Sequence, residues 1–198
     1  MIKFNKISNE IPYKIFKKLY TKSKKANQTN IEAMCIASYF SKNDEVNARF
    51  VNLKMVNNKE FIFFSNYSSQ KSKDFVSNSN ITSLIYWNTT NTQIRMKARV
   101  KKTSRDFNQT YFRSRDIKKN ALAISSNQSK TIESYNQVIK NYNKSLKHDD
   151  LKKCPDFWGG YSFIPYYFEF WEGHESRLNK REVYVKVDGV WKKSFLQP

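Results

Sequence analysis

The sequence predicts an α+β fold built on a predominantly antiparallel sheet that closes into a barrel. Three observations carry that expectation. Short runs of β-branched and aromatic residues alternate with turn-prone stretches. Amphipathic segments of helical period flank those runs. An Asp188-Gly189 pair joins the last two runs, a strong two-residue hairpin signal. About five to eight short strands of this kind tend to close on themselves.

The elements follow in order. Residues 1–10 are expected to be a flexible N-terminus. Residues 11–26 place Ile11, Ile15, Phe16 and Leu19 at helical spacing with lysines on the opposite face, which predicts a packing helix. From Ala33 onward come AMCIASYF, ARFVNLKMV, EFIFFSN, ITSLIYW and TQIRMKARVKKT, a meander of strands separated by stretches such as SKNDE and NNK. Between EFIFFSN and ITSLIYW lies SSQKSKDFVSN, whose serines can cap a short helix and turn its first N–H groups toward an anion. Residues 104–115 and 131–147 read as two further helices. In the second, Ile132, Tyr135, Val138, Ile139 and Tyr142 form one apolar stripe, expected to pack in the core. Strands return in YYFEFWEG, EVYVKV and VWKKSFL. No linker or repeat interrupts this pattern, so residues 1–198 are expected to form one domain.

Composition excludes several classes. The 198 residues include 36 Lys+Arg against 17 Asp+Glu, a formal net charge of +19. With 39% hydrophobic and 16% aromatic residues the chain can bury a core, yet it has no apolar run of roughly 18 residues that could span a bilayer. MIKFNKISNEIPYKIF mixes charges among its apolar residues and lacks the continuous core of a secretory signal. No membrane association and a cytoplasmic location are therefore expected. Two cysteines, Cys35 and Cys154, and two histidines, His148 and His174, are too scattered for a zinc site or a disulfide scaffold. Gly159, Gly160, Gly173 and Gly189 are the only glycines, too few for a phosphate-binding loop, a dinucleotide fingerprint or a nucleophile elbow.

The charge attracts anions in general: nucleic acid, a lipid surface or small phosphorylated ligands. Most lysines are expected on the solvated surface. The arginines say more, because a guanidinium presents a planar fork to phosphate that an ammonium cannot copy. Of the eight, Arg49, Arg95, Arg115, Arg177 and Arg181 sit in structurally organised segments and are candidates for anion contacts.

Residues 157–198, FWGGYSFIPYYFEFWEGHESRLNKREVYVKVDGVWKKSFLQP, resemble the C-terminal signature of the pyridoxamine 5'-phosphate oxidase family: a FWGG turn, an EFW strand and an R-L-x-x-R run. RFVNLK (49–54), FFSNYSSQK (63–71), TQIRM (92–96), YFRSR (111–115) and NQS (127–129) match in the same order. The resemblance covers nearly everything beyond about residue 11. It implies a split β-barrel with flanking helices, a homodimer binding FMN at the subunit interface. It further implies oxidation of pyridoxine or pyridoxamine 5'-phosphate to pyridoxal 5'-phosphate, with O2 giving H2O2. Hydride would pass from the substrate's C4' carbon to flavin N5, and water would hydrolyse the imine formed from an amine substrate.

Carried over residue by residue, the resemblance implies that Arg49 and Lys71 meet the FMN phosphate, with Gln70 just before Lys71 in sequence and Phe64 and Ser65 beside the cofactor. Phe50, Val51, Asn52, Leu53 and Lys54 complete the strand segment that faces it. Gln93, Gln128 and Ser129 would hydrogen-bond the flavin or its ribityl chain, and Trp171 and Arg181 would complete the pocket. Lys54, Tyr111, Arg115, Lys119, Arg177, Leu178 and Asn179 would hold the substrate, with Arg177, the candidate catalytic residue, closing over the pyridine ring. No metal is implied.

The sequence departs from the pattern at Gln70, where the family usually has arginine, at Asn179, where it has histidine, and at Lys119, where a phosphate-binding serine is expected. The family's substrate-covering R-x-x-Y segment is absent from the N-terminus. A divergent FMN oxidase or reductase of the same fold, similar to those of phenazine biosynthesis, is therefore one alternative. A basic nucleic-acid-binding module is another; against it, no nucleic-acid motif is present and FFSN and LIYW read as buried sheet.

Overall fold

Alternation along residues 33–40 turns Met34, Ile36 and Ser38 inward and leaves their neighbours half-exposed, the two-residue period of a strand with one face on a core. The same logic repeats through the computed structural model, which describes residues 1–198. In chain order the elements are β1 (Lys3–Asn5), α1 (Ile11–Lys25), β2 (Ala33–Phe40), β3 (Glu45–Asn57), β4 (Glu60–Asn66), α2 (Gln70–Ser77), β5 (Asn80–Trp87), β6 (Thr92–Lys102), α3 (Arg105–Arg113), α4 (Ile117–Ser125), α5 (Tyr135–His148), β7 (Trp158–Glu172), β8 (Lys180–Val187) and β9 (Val190–Leu196).

Six strands close a ring in the order β3, β2, β5, β6, β7, β4 and back to β3, every pair antiparallel. Closure falls to β4, which pairs Leu53 with Phe63 on one side and Phe64 with Gly160 on the other. The expected α+β barrel is thus a closed antiparallel six-stranded barrel flanked by five helices. The β8–β9 hairpin extends the second half of β7, and Asp188 (φ 49°) and Gly189 (φ 82°) make its left-handed turn as the sequence predicts.

Aromatic side chains fill the barrel, and α1 plugs one side of it. Tyr13 and Phe16 of α1 are fully buried, Phe16 meeting Phe61 edge-on at 5.0 Å and Tyr13 meeting Phe168 at 5.3 Å. Burying a side chain of this size contributes about 1.5–3 kcal/mol, so the helix is held by its apolar face rather than by its lysine-rich surface. Phe63 of FFSN and Ile85 and Trp87 of LIYW are buried in the core, while Phe64 is half-buried and Tyr86 is exposed. No helix is long and apolar enough to cross a membrane.

Three expectations are corrected, and one helix is added. Residues 1–10 are not a free tail: β1 runs parallel to β3, pairing Lys3 with Met55 just beyond Asn52, where β2 leaves the β3 edge open. A three-residue strand is too short to show a period in sequence. The stretch 117–125 forms α4, started by Asp116, whose carboxylate accepts from the backbone N–H of Lys118 and Lys119. The stripe on α5 does not pack in the core. Tyr135 is 77% exposed and Ile139 43%, Ile132 precedes the helix, and Ser145 is its only buried residue. Periodicity shows that a helix has an apolar face but not what covers it, and α5 packs on α4 rather than on the barrel. Lastly, β7 begins at Trp158, eight residues before the expected start, so the FWGG segment is itself a strand.

Candidate functional site

The outward face of β3, the end of β4, the start of α2, α4 and the segment after it enclose a cavity of about 520 Å³. Arg49, Phe50, Val51, Asn52, Phe64, Ser65, Gln70, Lys71, Gln128 and Ser129 all line it, so residues spread over eighty positions of sequence converge as expected. Arg49 donates to Asp74 Oδ2 at 2.9 Å and to Ser38 Oγ at 2.6 Å. Asp74 is completely buried and also accepts from Ser38 at 2.7 Å and from the Gln70 amide at 3.1 Å. Gln70 therefore serves the carboxylate that orients Arg49, where an arginine would have added a second cation.

Lys71 is the buried cation of this cavity. Its Nζ donates to Ser65 Oγ at 2.8 Å, Ser69 Oγ at 3.1 Å and Gln128 Oε1 at 3.3 Å, all neutral oxygens, and no carboxylate lies within ion-pair distance. Burial, and then the charge of Arg49, push its pKa down to about 8. The expected serine cap of α2 is not made by its side chain: Ser69 Oγ donates to the Asn66 carbonyl at 2.7 Å instead, which aims its lone pairs at Lys71. Ser129, which lines the cavity, holds a left-handed backbone (φ 72°), a conformation that costs energy for a side-chain-bearing residue.

A second cavity of about 350 Å³ shares Asn52, Phe64, Arg115, Lys119 and Trp158 with the first. Lys54 and Tyr111 line only this one. A bulge in the β3–β4 ladder between Leu53 and Met55 leaves Lys54 without a partner and points it out of the sheet, a common device beside sites. Its neighbour Leu53 is fully buried in the barrel, so only its backbone is available to the site. Tyr111 and Phe64 stack at 3.8 Å with their planes 4° apart, and Trp158 continues the stack at 5.1 Å.

Arg115 lies in the wall common to both cavities, its guanidinium 4.4 Å from the Trp158 ring. Its Nη1 is buried and has no hydrogen-bond partner, and burial lowers its pKa. An orphaned guanidinium nitrogen at a cavity wall is costly unless an anion completes it. Arg115 in the common wall and Lys71 in the larger cavity are thus two buried cations without an anionic partner.

The remaining expected residues lie elsewhere in the chain. Gln93, Trp171 and Arg181 stand side by side across β6, β7 and β8. Arg181 grips the buried Glu169 with Nε and Nη2 at 2.9 and 2.8 Å, and Arg95 takes the other carboxylate oxygen. Trp171 is eleven residues along β7 from Gly160, which pairs with Phe64 at the cavity, roughly 36 Å of strand at about 3.3 Å per residue. Arg177, Leu178 and Asn179 sit in the β7–β8 loop. Asn179 Oδ1 accepts from His174 N–H at 3.0 Å, and Arg177 has φ 60° with an exposed side chain. One chain thus carries two separate groups of expected residues.

Asn66, Leu122, Ala123, Ser126 and Trp158 also line the larger cavity and were not anticipated. Three belong to α4 or the turn after it, and the Asp116 cap was the signal that could have revealed that helix. Trp158 lies in the FWGG segment, where the glycines explain the motif. A methyl on Gly159 would collide with the Tyr67 hydroxyl and the Asn108 amide, and one on Gly160 would meet Thr103 and Phe64.

Two family models match the chain: Pyridoxamine 5'-phosphate oxidase over residues 22–142, and Pyridoxine 5'-phosphate oxidase C-terminal dimerisation region over residues 158–198. A pyridoxine/pyridoxamine 5'-phosphate oxidase of Paraburkholderia phytofirmans is 34% identical, covering 94% of this chain and 89% of its own. That of Coxiella burnetii is 33% identical over 94% and 95%. Among solved structures, PhzG from Burkholderia lata, in complex with tetrahydrophenazine-1-carboxylic acid, superposes with a TM-score of 0.89 at 21% identity, covering 94% of this chain and 92% of its own. A pyridoxamine 5'-phosphate oxidase-related, FMN binding protein from Nostoc punctiforme superposes at 0.79 with 11% identity, over 96% and 99%. These two share the fold. With relatives a third identical along nearly its whole length and a family model spanning residues 22–142, the chain belongs to the pyridoxamine 5'-phosphate oxidase family.

Proposed function

We propose that this protein is an FMN-dependent oxidase that converts pyridoxine 5'-phosphate or pyridoxamine 5'-phosphate to pyridoxal 5'-phosphate, with O2 as acceptor and H2O2 as product. The observation that carries the reading is the pair of joined cavities, with Lys71 buried in one and Arg115 in their common wall, neither holding an anionic partner. Arg49 and Lys71 hold the FMN phosphate, and Ser65, Gln128 and Ser129 supply hydrogen bonds beside it. FMN held by these residues would supply the redox chemistry, as acceptor of the substrate's hydride and donor of electrons to O2.

The protein's own contribution is placement. Lys54, Tyr111, Arg115 and Lys119 anchor the substrate by its phosphate, fixing C4' at one distance from the wall of Phe64 and Asn52. Holding reactants in line can supply several kcal/mol of the barrier without a dedicated acid or base. The second group, Gln93, Trp171 and Arg181 with the Arg177–Leu178–Asn179 loop, reaches this cavity from a second copy of the chain. The protein is accordingly read as a homodimer with a site at each end of its interface, and Arg177 closes over the pyridine ring. The match of residues 158–198 to a dimerisation region supports this arrangement.

Purified protein given FMN and pyridoxine 5'-phosphate in air should form pyridoxal 5'-phosphate and H2O2 in equal amounts. A protein that binds FMN and forms neither, with either phosphorylated pyridine, would overturn the reading.

A further inference from the structure

We propose that Lys3 is a further phosphate-binding residue of the smaller cavity, supplied by the N-terminal strand; the proposal deepens the function above and rests on it. Lys3 lines that cavity together with Lys54, Tyr111, Arg115 and Lys119, and it does not line the larger one. Its position is built rather than incidental. Successive side chains of a strand point to opposite faces, and in β1 Phe4 goes to the core side, meeting Tyr20 at 5.0 Å, while Ile2 is buried beside it. Lys3 must therefore face away from the barrel core. The parallel register sets it opposite Met55, one residue past the bulge that turns Lys54 outward. The segment is tied down by Ile2 N–H donating to the Tyr20 hydroxyl at 3.2 Å, and Asn58 N–H donating to the Asn5 carbonyl at 2.9 Å.

Charge balance says what these cations face. The cavity is lined by four cations and one carboxylate, Asp116, which is occupied in capping α4. Lys54 has a carboxylate neighbour, Glu32, at 3.6 Å. Lys3, Arg115 and Lys119 form no ion pair. Three unpaired cations around one cavity repel each other until a multiply charged anion enters, and a phosphate monoester, with close to two negative charges at neutral pH, matches them better than a carboxylate does. Lys3 then discriminates phosphorylated from unphosphorylated pyridines.

The test uses 4-deoxypyridoxine 5'-phosphate, which has no oxidisable group at C4', with the unphosphorylated compound as control. Binding to the FMN-loaded protein is followed by calorimetry, for the parent, Lys3→Gln and Lys3→Arg. Lys3→Gln should bind the phosphorylated ligand about fivefold more weakly, as expected for a partly exposed ion pair, with the difference shrinking as salt is added. Lys3→Arg should retain most of the affinity, and binding of the unphosphorylated ligand and of FMN should be the same in all three. Equal affinity of parent and Lys3→Gln for the phosphorylated ligand would overturn the role of Lys3 while leaving the substrate assignment standing. A parent that shows no preference for the phosphorylated ligand would overturn both.

Discussion

The ammonium of Lys71 donates to the hydroxyl of Ser65 at 2.8 Å inside the larger cavity, a buried cation held by a neutral oxygen. Burial and the neighbouring Arg49 place its pKa at about 8, below the 10.5 it has in an unfolded chain. Between pH 8 and 10.5 the unfolded chain holds a proton that the folded one has released, so Lys71 penalises the flavin-free fold below pH 8 and the penalty fades as pH rises through that window. An FMN phosphate reverses the preference by favouring the ammonium. FMN affinity should fall as pH rises above about 8, by up to about tenfold per unit. Lys71→Met should weaken FMN binding and flatten its pH dependence, yet raise the urea midpoint of the flavin-free protein at pH 7. Loss of both stability and affinity would show that Lys71 is structural.

Arg115 gives a second prediction. Its buried Nη1 lacks a partner, and beyond its contacts with the Trp158 and Phe112 rings the guanidinium makes one long hydrogen bond, from Nη2 to the Lys119 carbonyl at 3.4 Å, so removing it costs the empty fold little. A charge-assisted hydrogen bond to substrate phosphate contributes about 1.5–3 kcal/mol. Arg115→Met should therefore raise the KM for pyridoxine 5'-phosphate about ten- to a hundredfold in steady-state assays, with thermal stability nearly unchanged. An unaltered KM would remove Arg115 from the substrate site.

The separation of the two residue groups along β7 predicts complementation between subunits. Lys71→Met disables the cavity, and Trp171→Ala disables the distant group. Each homodimer should be inactive, but in a mixed dimer one of the two sites receives an intact cavity and an intact partner group. Unfolding and refolding the variants together should restore about a quarter of parental activity, because half the dimers are mixed and each has one good site. No recovery, with mixed dimers demonstrated by a tag, would contradict a shared site.

The sequence makes the barrel legible because its strands are short, aromatic and bounded by turn residues, and because Asp188-Gly189 fits one turn type. It makes the larger cavity legible as well, since Arg49, Ser65, Lys71 and Gln128 lie in segments that resemble the family signature. What it conceals is tertiary. β1 has three residues and no period of its own, and exists because β3 outruns β2. α4 follows an Asp cap in a lysine-rich stretch that signals no element apart from that cap. The apolar stripe of α5 gives its face but not its neighbour. Nor can local pattern show that Gln93, Trp171 and Arg181 align across three strands far from Lys71.

The most direct test of the oxidase assignment is the anaerobic visible spectrum of the FMN-loaded protein after addition of pyridoxamine 5'-phosphate. An oxidase of this specificity should show rapid bleaching of the flavin band, recovery on admitting air, and no comparable bleaching by unphosphorylated pyridoxamine at the same concentration. A spectrum that stays oxidised with both pyridoxamine 5'-phosphate and pyridoxine 5'-phosphate would contradict the assignment.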